Sequence, residues 1–528
     1  MPGFHFCFIV NFMKTQSDNG DGTYTNPVIA ADFPDPDIVL VDDVYYFVST
    51  TMFAFPGGTI LKSKDLVNWE YCCNIIPEMD YSPCYNLDGG HRYGRGMWAS
   101  SLKYHNGKFY FLFNTLDEGG FLGTAEKAEG PWEITHLPRG FHDPGLLFDA
   151  DGKIYVAHGY NDIYITELDS EFTAINEDRL VYTGDIRKGL EGSHLYKIND
   201  YYYIYATYGG LDGFQAALRS KNIYGPYEQK IVLHDLTDGP NYGIHQGALI
   251  QTKTGEWWTL LMVDHGAFGR FASLQPVSWN DDWPSAGING QAVITYKKPD
   301  TGKTCAIGSL PASDEFETGQ LGLQWSWNHN PEPSKWSLTK NPGKLRLETV
   351  NITDSLPRAR NTLTQRIFAG YSNKTITRAT AKMEFSNMKD GDIAGLAVFQ
   401  DPYGFVGIQK KDGQYYIIMA NNGDIIESEK IDKSEIYLRA DPFYGSGAAM
   451  YYGGNTVEGT GTVAFSYSTN GKEFITVGNV MQMQFNLTVF TGNKFCLFNY
   501  AVQELGGYVD FDWFRTEICE YTRQQGIC

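Results

Sequence analysis

The 528-residue sequence is short of the features that mark redox, metal, membrane and nucleic-acid proteins. Its eight cysteines, Cys7, Cys72, Cys73, Cys84, Cys305, Cys496, Cys519 and Cys528, form no CxxC pair and no zinc-ligand spacing. Adjacent Cys72 and Cys73 read as core and edge residues, and a disulfide such as Cys519–Cys528 would require an exported protein. Basic charge is scarce: 42 Lys and Arg stand against 62 Asp and Glu, a formal net charge of −20. Nucleic acids and anionic membranes reward basic patches, so neither is an expected partner. No apolar run is long enough to span a bilayer. The apolar stretch Phe4–Phe12 lacks a basic leader and a small-residue cleavage site, and reads either as a degraded or mis-started export signal or as a tail. The compartment stays open between secretion or the periplasm, slightly favoured, and the cytoplasm. Charge does not exclude a dimer, and the oligomeric state is open too.

Helical periodicity is also scarce. Short alternating runs broken by Gly, Asn and Asp turns take its place, which is an all-β signature. Aromatics make up 15% of the chain, suiting strand packing and sugar stacking equally. The length calls for two or three domains. Between about residues 30 and 290 one pattern recurs five times: a polar opener, an apolar strand, an aromatic-rich strand, and a third strand ending in a charged hairpin. The five units contain Asp35–Thr51, Met97–Thr115, His142–Tyr160, Glu191–Gly210 and His245–Val263. Asn106-Gly107, Asp151-Gly152 and Thr254-Gly255 lie between strand patterns, where hairpins want positive φ. Repeats of this length are propeller blades. The expected architecture is a tail over residues 1–25, a five-bladed β-propeller over 26–295, a linker over 296–312, and a β-sandwich of jelly-roll type over 313–528. Two stacked sandwiches explain the repetition less well.

The first strand of a propeller blade lines the central channel, so the openers Asp35, Trp98, Asp143, Glu191 and His245 are expected to meet at one mouth. Asp35 lies between Pro34 and Pro36, which stiffen the backbone around it. Asp35, Asp143 and Glu191 bring three carboxylates from three blades. Two carboxylates across a pocket suit glycosidic bond cleavage, one giving a proton to the leaving oxygen and the other activating water or attacking carbon. A third near the acid raises its pKa by like-charge repulsion. Placement across a channel favours a wide separation and so inversion. The long loop Tyr71–Gly96 is expected to wall the pocket, together with a sandwich loop, favouring exo action. Asp314 and Asp512, near the two ends of the sandwich, are candidate ligands of a structural calcium.

The stretches NPVIAADFPDPDIVL, FHDPGLLFDADGKIYVAHG, LEGSHLYKIND and GRFASLQPVSW, in that order and at blade spacing, closely resemble glycoside hydrolase family 43. The resemblance implies that Asp35 is the general base, Glu191 the general acid and Asp143 the residue that tunes and orients the acid. It implies that Arg270 holds sugar hydroxyls in the innermost subsite, that Trp98 and Met52 belong to the pocket wall, and that His245 lines the channel beside a calcium ion. Related xylosidases often carry an aromatic where Met52 stands, which bears on sugar preference. The implied activity is an inverting exo-glycosidase on plant hemicellulose, an α-L-arabinofuranosidase, a β-xylosidase or both, with arabinan or galactan as alternatives. The substrate is an oligosaccharide or polysaccharide, and no organic cofactor is implied. A carbohydrate-binding propeller without turnover is the competing reading, which predicts that one carboxylate is missing.

Overall fold

A computed structural model describes residues 17–210, 212–237, 242–302, 308–369, 375–443, 451–452, 455–456 and 461–520. The readings of Phe4–Phe12 and of a Cys519–Cys528 disulfide concern residues or side chains outside that set. Five four-stranded antiparallel sheets follow one another along the chain. Their inner strands are Asp37–Val41, Ser100–His105, Gly145–Phe148, Leu190–Ile198 and His245–Gln251. Neighbouring inner strands pack side by side around a ring, and the fifth closes against the first. These are the five blades expected from the repeats. The hairpin turns conform as well: Asn106 and Gly107 take φ 48° and 82°, the conformation that Asn-Gly adopts readily.

Closure is reinforced from the N-terminal side. Thr23–Thr25 pairs with Thr295–Lys297, so parts of the expected tail and linker form one two-stranded ribbon. The Tyr24 hydroxyl and the Asn26 side-chain amide both donate to Leu274 O in blade five (2.7 and 2.9 Å). Each satisfies a polar group that would otherwise be buried without a partner.

Asp37 organises the channel. Its fully buried carboxylate accepts from Leu102 N (2.7 Å), Ser101 Oγ (3.1 Å) and Lys103 Nζ (3.0 Å), and lies 3.3 Å from His194 Nδ1. One carboxylate therefore joins blades one, two and four. Despite burial, Lys103 and His194 hold its carboxyl well below the ordinary carboxylate range.

The second domain stacks an eight-stranded on a seven-stranded antiparallel sheet. Its core, including Leu396, Val406, Leu438 and Phe514, also takes in Ala267, Phe268 and Phe271 from blade five. The eight-stranded sheet ends on Ala54–Phe55, a two-residue strand from blade one paired with Ser326–Asn328. A shared core and a shared sheet fix the two domains in register.

The stretch Tyr71–Gly96 departs from expectation. Its first residues finish the outer strand Glu70–Ile76, and none of its side chains lines the cavity described below. It braces the domains instead. The Tyr93 hydroxyl donates to Pro357 O and accepts from Asn328 Nδ2, both at 2.7 Å, and Arg92 N donates to His329 Nε2 at 2.8 Å. Cys72 and Cys73 are both buried in the core shared by blades one and two.

Candidate active site

Each opener lies within two residues of the start of an inner strand, or in its first turn of chain, and all five line one cavity at the channel mouth. The local backbone explains how they reach it. Asp35 and Asp143 take φ 55° and 47°, a region that side chains other than Gly enter rarely and Asp more readily than most. The stiff backbone expected around Asp35 takes the form of a left-handed turn between the two prolines. Glu191 is aimed by a β-bulge between Glu191 and His194, with Gly192 at φ 67°. His245 precedes a matching irregularity, with Gln246 at φ 44°.

The cavity has a charged, buried end. The Asp35 side chain is 6% exposed and Arg270 4%, and Arg270 Nη1 donates to Asp35 Oδ1 at 3.5 Å. Burial pushes the Asp35 carboxyl up, Arg270 pulls it down, and Asp143 adds a further push upward. Asp264, which sequence reasoning missed, pairs in register with Arg270 and also lines the cavity. Burial raises its carboxyl too, against His245 and Arg270. Its signal was its place at the end of the second strand of blade five, which returns toward the channel.

The other side is nearer solvent. The Glu191 side chain is 24% exposed. Its Oε1 and His245 Nε2 face the same point: a Cβ added to Gly209 would lie 3.3 Å from the one and 3.8 Å from the other. His245 Nδ1 donates to Gly243 O at 2.7 Å, which leaves Nε2 toward the cavity. Asp143 Oδ2 accepts from Gly192 N at 3.2 Å and so holds the backbone beside Glu191. Burial raises the Asp143 carboxyl, with His142 opposing and Glu191 adding to the rise. His142 is the second residue missed, although it immediately precedes Asp143. Its Nε2 lies 3.3 Å from Glu191 Oε2 and 3.8 Å from Asp143 Oδ1. The ligand atoms of His142, Asp143 and Glu191 all lie within 4.8 Å of one another, and the imidazole–carboxylate contacts account for that closeness.

The roof comes from the sandwich. Phe485 and Phe490 line the cavity, and Phe490 stacks on Trp98 (5.2 Å between centroids, 20°) and under the Arg270 guanidinium (4.8 Å). Arg270 Nη2 donates to Phe490 O at 3.1 Å. Asp32 ties this loop down, accepting from Arg270 N (2.9 Å) and Gly492 N (2.8 Å). A sandwich loop was expected here, but its residues were not identified.

One expectation fails. Met52 is fully buried with Phe53 and Tyr93, pairs through its backbone with Met97, and does not reach the cavity, because its turn points it into the domain interface. Asp314 and Asp512, the candidate calcium ligands, have separate protein partners. Asp314 accepts from Phe316 N, Gln324 Nε2 and Trp325 Nε1, while Asp512 pairs with Lys382 at 3.1 Å.

A five-bladed propeller that gathers four carboxylates, an arginine and aromatics in one cavity has the construction of a glycoside hydrolase. Comparison with known proteins agrees. Residues 24–284 match glycosyl hydrolases family 43, and residues 313–517 match the beta xylosidase C-terminal concanavalin A-like domain. A β-xylosidase of Formosa agariphila is 33% identical over 94% of this chain and 90% of its own. A non-reducing end α-L-arabinofuranosidase of Bacteroides ovatus is 33% identical over 72% of this chain and 74% of its own. The solved structure of a bifunctional GH43-CE protein of Bacteroides eggerthii superposes with a TM-score of 0.83 at 36% identity; the match covers 93% of this chain and 63% of that one. The chain belongs to glycosyl hydrolases family 43 and carries that family's C-terminal concanavalin A-like β-sandwich.

Proposed function

We propose that the protein is an inverting, exo-acting hydrolase of plant hemicellulose that releases L-arabinofuranose, D-xylose or both. The observation that carries this reading is the placement of Asp35, Asp143 and Glu191 on one cavity, with Asp35 at its buried end and Glu191 toward solvent. The names of the β-xylosidase and arabinofuranosidase relatives support the sugar class.

The terminal sugar enters first, so that its ring lies beside Arg270 and beneath the aromatic roof and its glycosidic oxygen meets Glu191. Asp35 takes a proton from a water as that water attacks the anomeric carbon. Glu191 gives its proton to the leaving oxygen in the same step. Burial raises the Asp35 carboxyl, making it a stronger base than an exposed aspartate, and Arg270 opposes that rise. Asp143 holds the Glu191 backbone through Gly192 N, and Arg270 orients sugar hydroxyls. Phe485 and Phe490 close the cavity over the sugar, which favours chain ends over mid-chain bonds.

The step needs no organic cofactor. A calcium ion in the channel would be held through His245 Nε2. A hard cation takes six to eight oxygens, so its remaining ligands would be water and the cavity carboxylates.

The test is hydrolysis of aryl β-xylopyranoside and aryl α-L-arabinofuranoside by wild type, Asp35→Ala and Glu191→Ala. Asp35→Ala should lose roughly 10²-fold or more on both. Glu191→Ala should lose less on aryl substrates than on oligosaccharides, because aryl leaving groups need less protonation. Wild-type rates in Asp35→Ala would remove the base assignment, and sugar binding without turnover by wild type would favour a lectin-like propeller. The ratio of the two aryl rates assigns the sugar.

A further inference from the structure

His142 lies between the proposed acid and Asp143. Its ring packs against Trp98 (6.1 Å, 47°) and, edge to face, Tyr160 (6.1 Å, 86°), and its carbonyl accepts from Gly159 N at 3.0 Å. A side chain so confined is pre-oriented rather than free to drift. Nε2 reaches Glu191 Oε2, whereas Glu191 Oε1 is the oxygen that faces Gly209 and the cavity. The two carboxyl oxygens are thereby distinguished, one anchored and one free.

We propose that His142 is a positioning residue of the general acid, donating from Nε2 to Glu191 Oε2 so that Oε1 carries the transferable proton toward the glycosidic oxygen. This rests on the assignment of Glu191 as the acid. His142 also has an electrostatic part. The titratable groups around it are Asp143 and Glu191, with His158 and the Tyr160 ring nearby. With His142 cationic and Asp143 anionic, the trio passes from net zero to −1 as Glu191 gives up its proton. Without His142 it passes from −1 to −2, against the repulsion of Asp143. The Asp143 carboxylate, first, and the hydrogen bond to Glu191 push the His142 imidazole up to about 9, against burial. The imidazolium is therefore the form present at neutral pH.

The proton inventory balances. Glu191 Oε1–H gives its proton to the leaving oxygen, the C–O bond breaks with its electron pair going to that oxygen, and Glu191 is reprotonated from solvent. His142 keeps its own proton throughout.

The test compares wild type, His142→Ala and His142→Gln on two substrates of the same sugar: a xylo- or arabinoxylo-oligosaccharide, whose leaving group needs protonation, and a 2,4-dinitrophenyl glycoside, whose leaving group does not. His142→Ala should lose about 30-fold in kcat/KM on the oligosaccharide and less than about 3-fold on the dinitrophenyl glycoside, within the range of lost general-acid help. His142→Gln, which keeps a donor but no charge, should recover most of the oligosaccharide rate. In both variants the basic limb of the kcat/KM profile should move to higher pH. Retained dinitrophenyl activity reports that the variants are folded. Equal loss on both substrates, or a basic limb that does not move, overturns the proposal. A wild type inactive on both substrates would instead overturn the functional reading on which it rests.

Discussion

Asp35 and Asp37 are two residues apart, both buried and both aspartate, yet they should respond oppositely to the same substitution. Asp37→Asn removes the charge that Lys103 and His194 face, in a site where Asp37 is fully buried and the Lys103 side chain is 17% exposed. Breaking a buried ion pair from one side costs about 3–5 kcal/mol, and asparagine still accepts from Leu102 N, so the lower end, about 3 kcal/mol, is expected. For a domain of this size that is a fall in Tm of about 6–12 °C. The carboxyl of Asp37 is depressed in the folded protein, so its stabilisation is present above the ordinary value of 3.8 and is lost as pH falls through the folded-state value. The gap between variant and wild type should therefore be full at neutral pH and narrow in acid. Asp35 is raised by burial, so its ionised form weighs against folding as pH rises. Asp35→Asn leaves Arg270 with Asp32 as a counter-charge at 3.9 Å, so it should melt at or above wild type at neutral pH while losing activity. Melting curves and aryl-glycoside rates for both variants at two pH values suffice. Asp37→Asn melting with wild type, or Asp35→Asn falling as far as Asp37→Asn, would refute the reasoning.

Other outcomes follow from the site. Gly209→Ala places a methyl 3.3 Å from Glu191 Oε1, so the carboxyl must shift by a few tenths of an ångström; kcat/KM on oligosaccharides should fall about tenfold with Tm retained. Phe490→Ala removes the stacking on Trp98 and the cover over Arg270, and should raise KM about tenfold with a smaller change in kcat, measured by initial rates. The His142 ring signal should titrate near pH 9 by NMR. Because that value is raised above the ordinary 6.5, its contribution to stability should be complete below pH 6.5 and lost as pH rises through about 9.

The propeller was legible because its repeats state themselves locally: each blade has an inward opener, alternating strands and a short turn containing Asn, Asp or Gly, and all of these are short-range patterns. The convergence of Asp35, Asp143 and Glu191 followed from that repetition alone. The left-handed turn at Asp35 did not, since prolines constrain their neighbours statistically and aspartate tolerates positive φ where the tertiary structure demands it. His142 stood inside the FHDPG stretch without a signal of its own, as an imidazole before an aspartate is as often structural as functional, and Asp264 was marked only by its place at the end of a strand. Phe485, Phe490 and the Asp32 clamp come from docking two domains more than 450 residues apart in sequence, between Asp32 and Gly492. No periodicity encodes that contact, and the same docking turned Met52 and the Tyr71–Gly96 stretch from pocket wall into interface.

The central claim, a single displacement driven by Asp35 and Glu191, is tested most directly by the anomeric form of the first sugar released, followed by proton NMR before mutarotation. The account predicts an inverted product: α-xylose from a β-xyloside, or β-arabinofuranose from an α-L-arabinofuranoside. A product that keeps the substrate's configuration would contradict it.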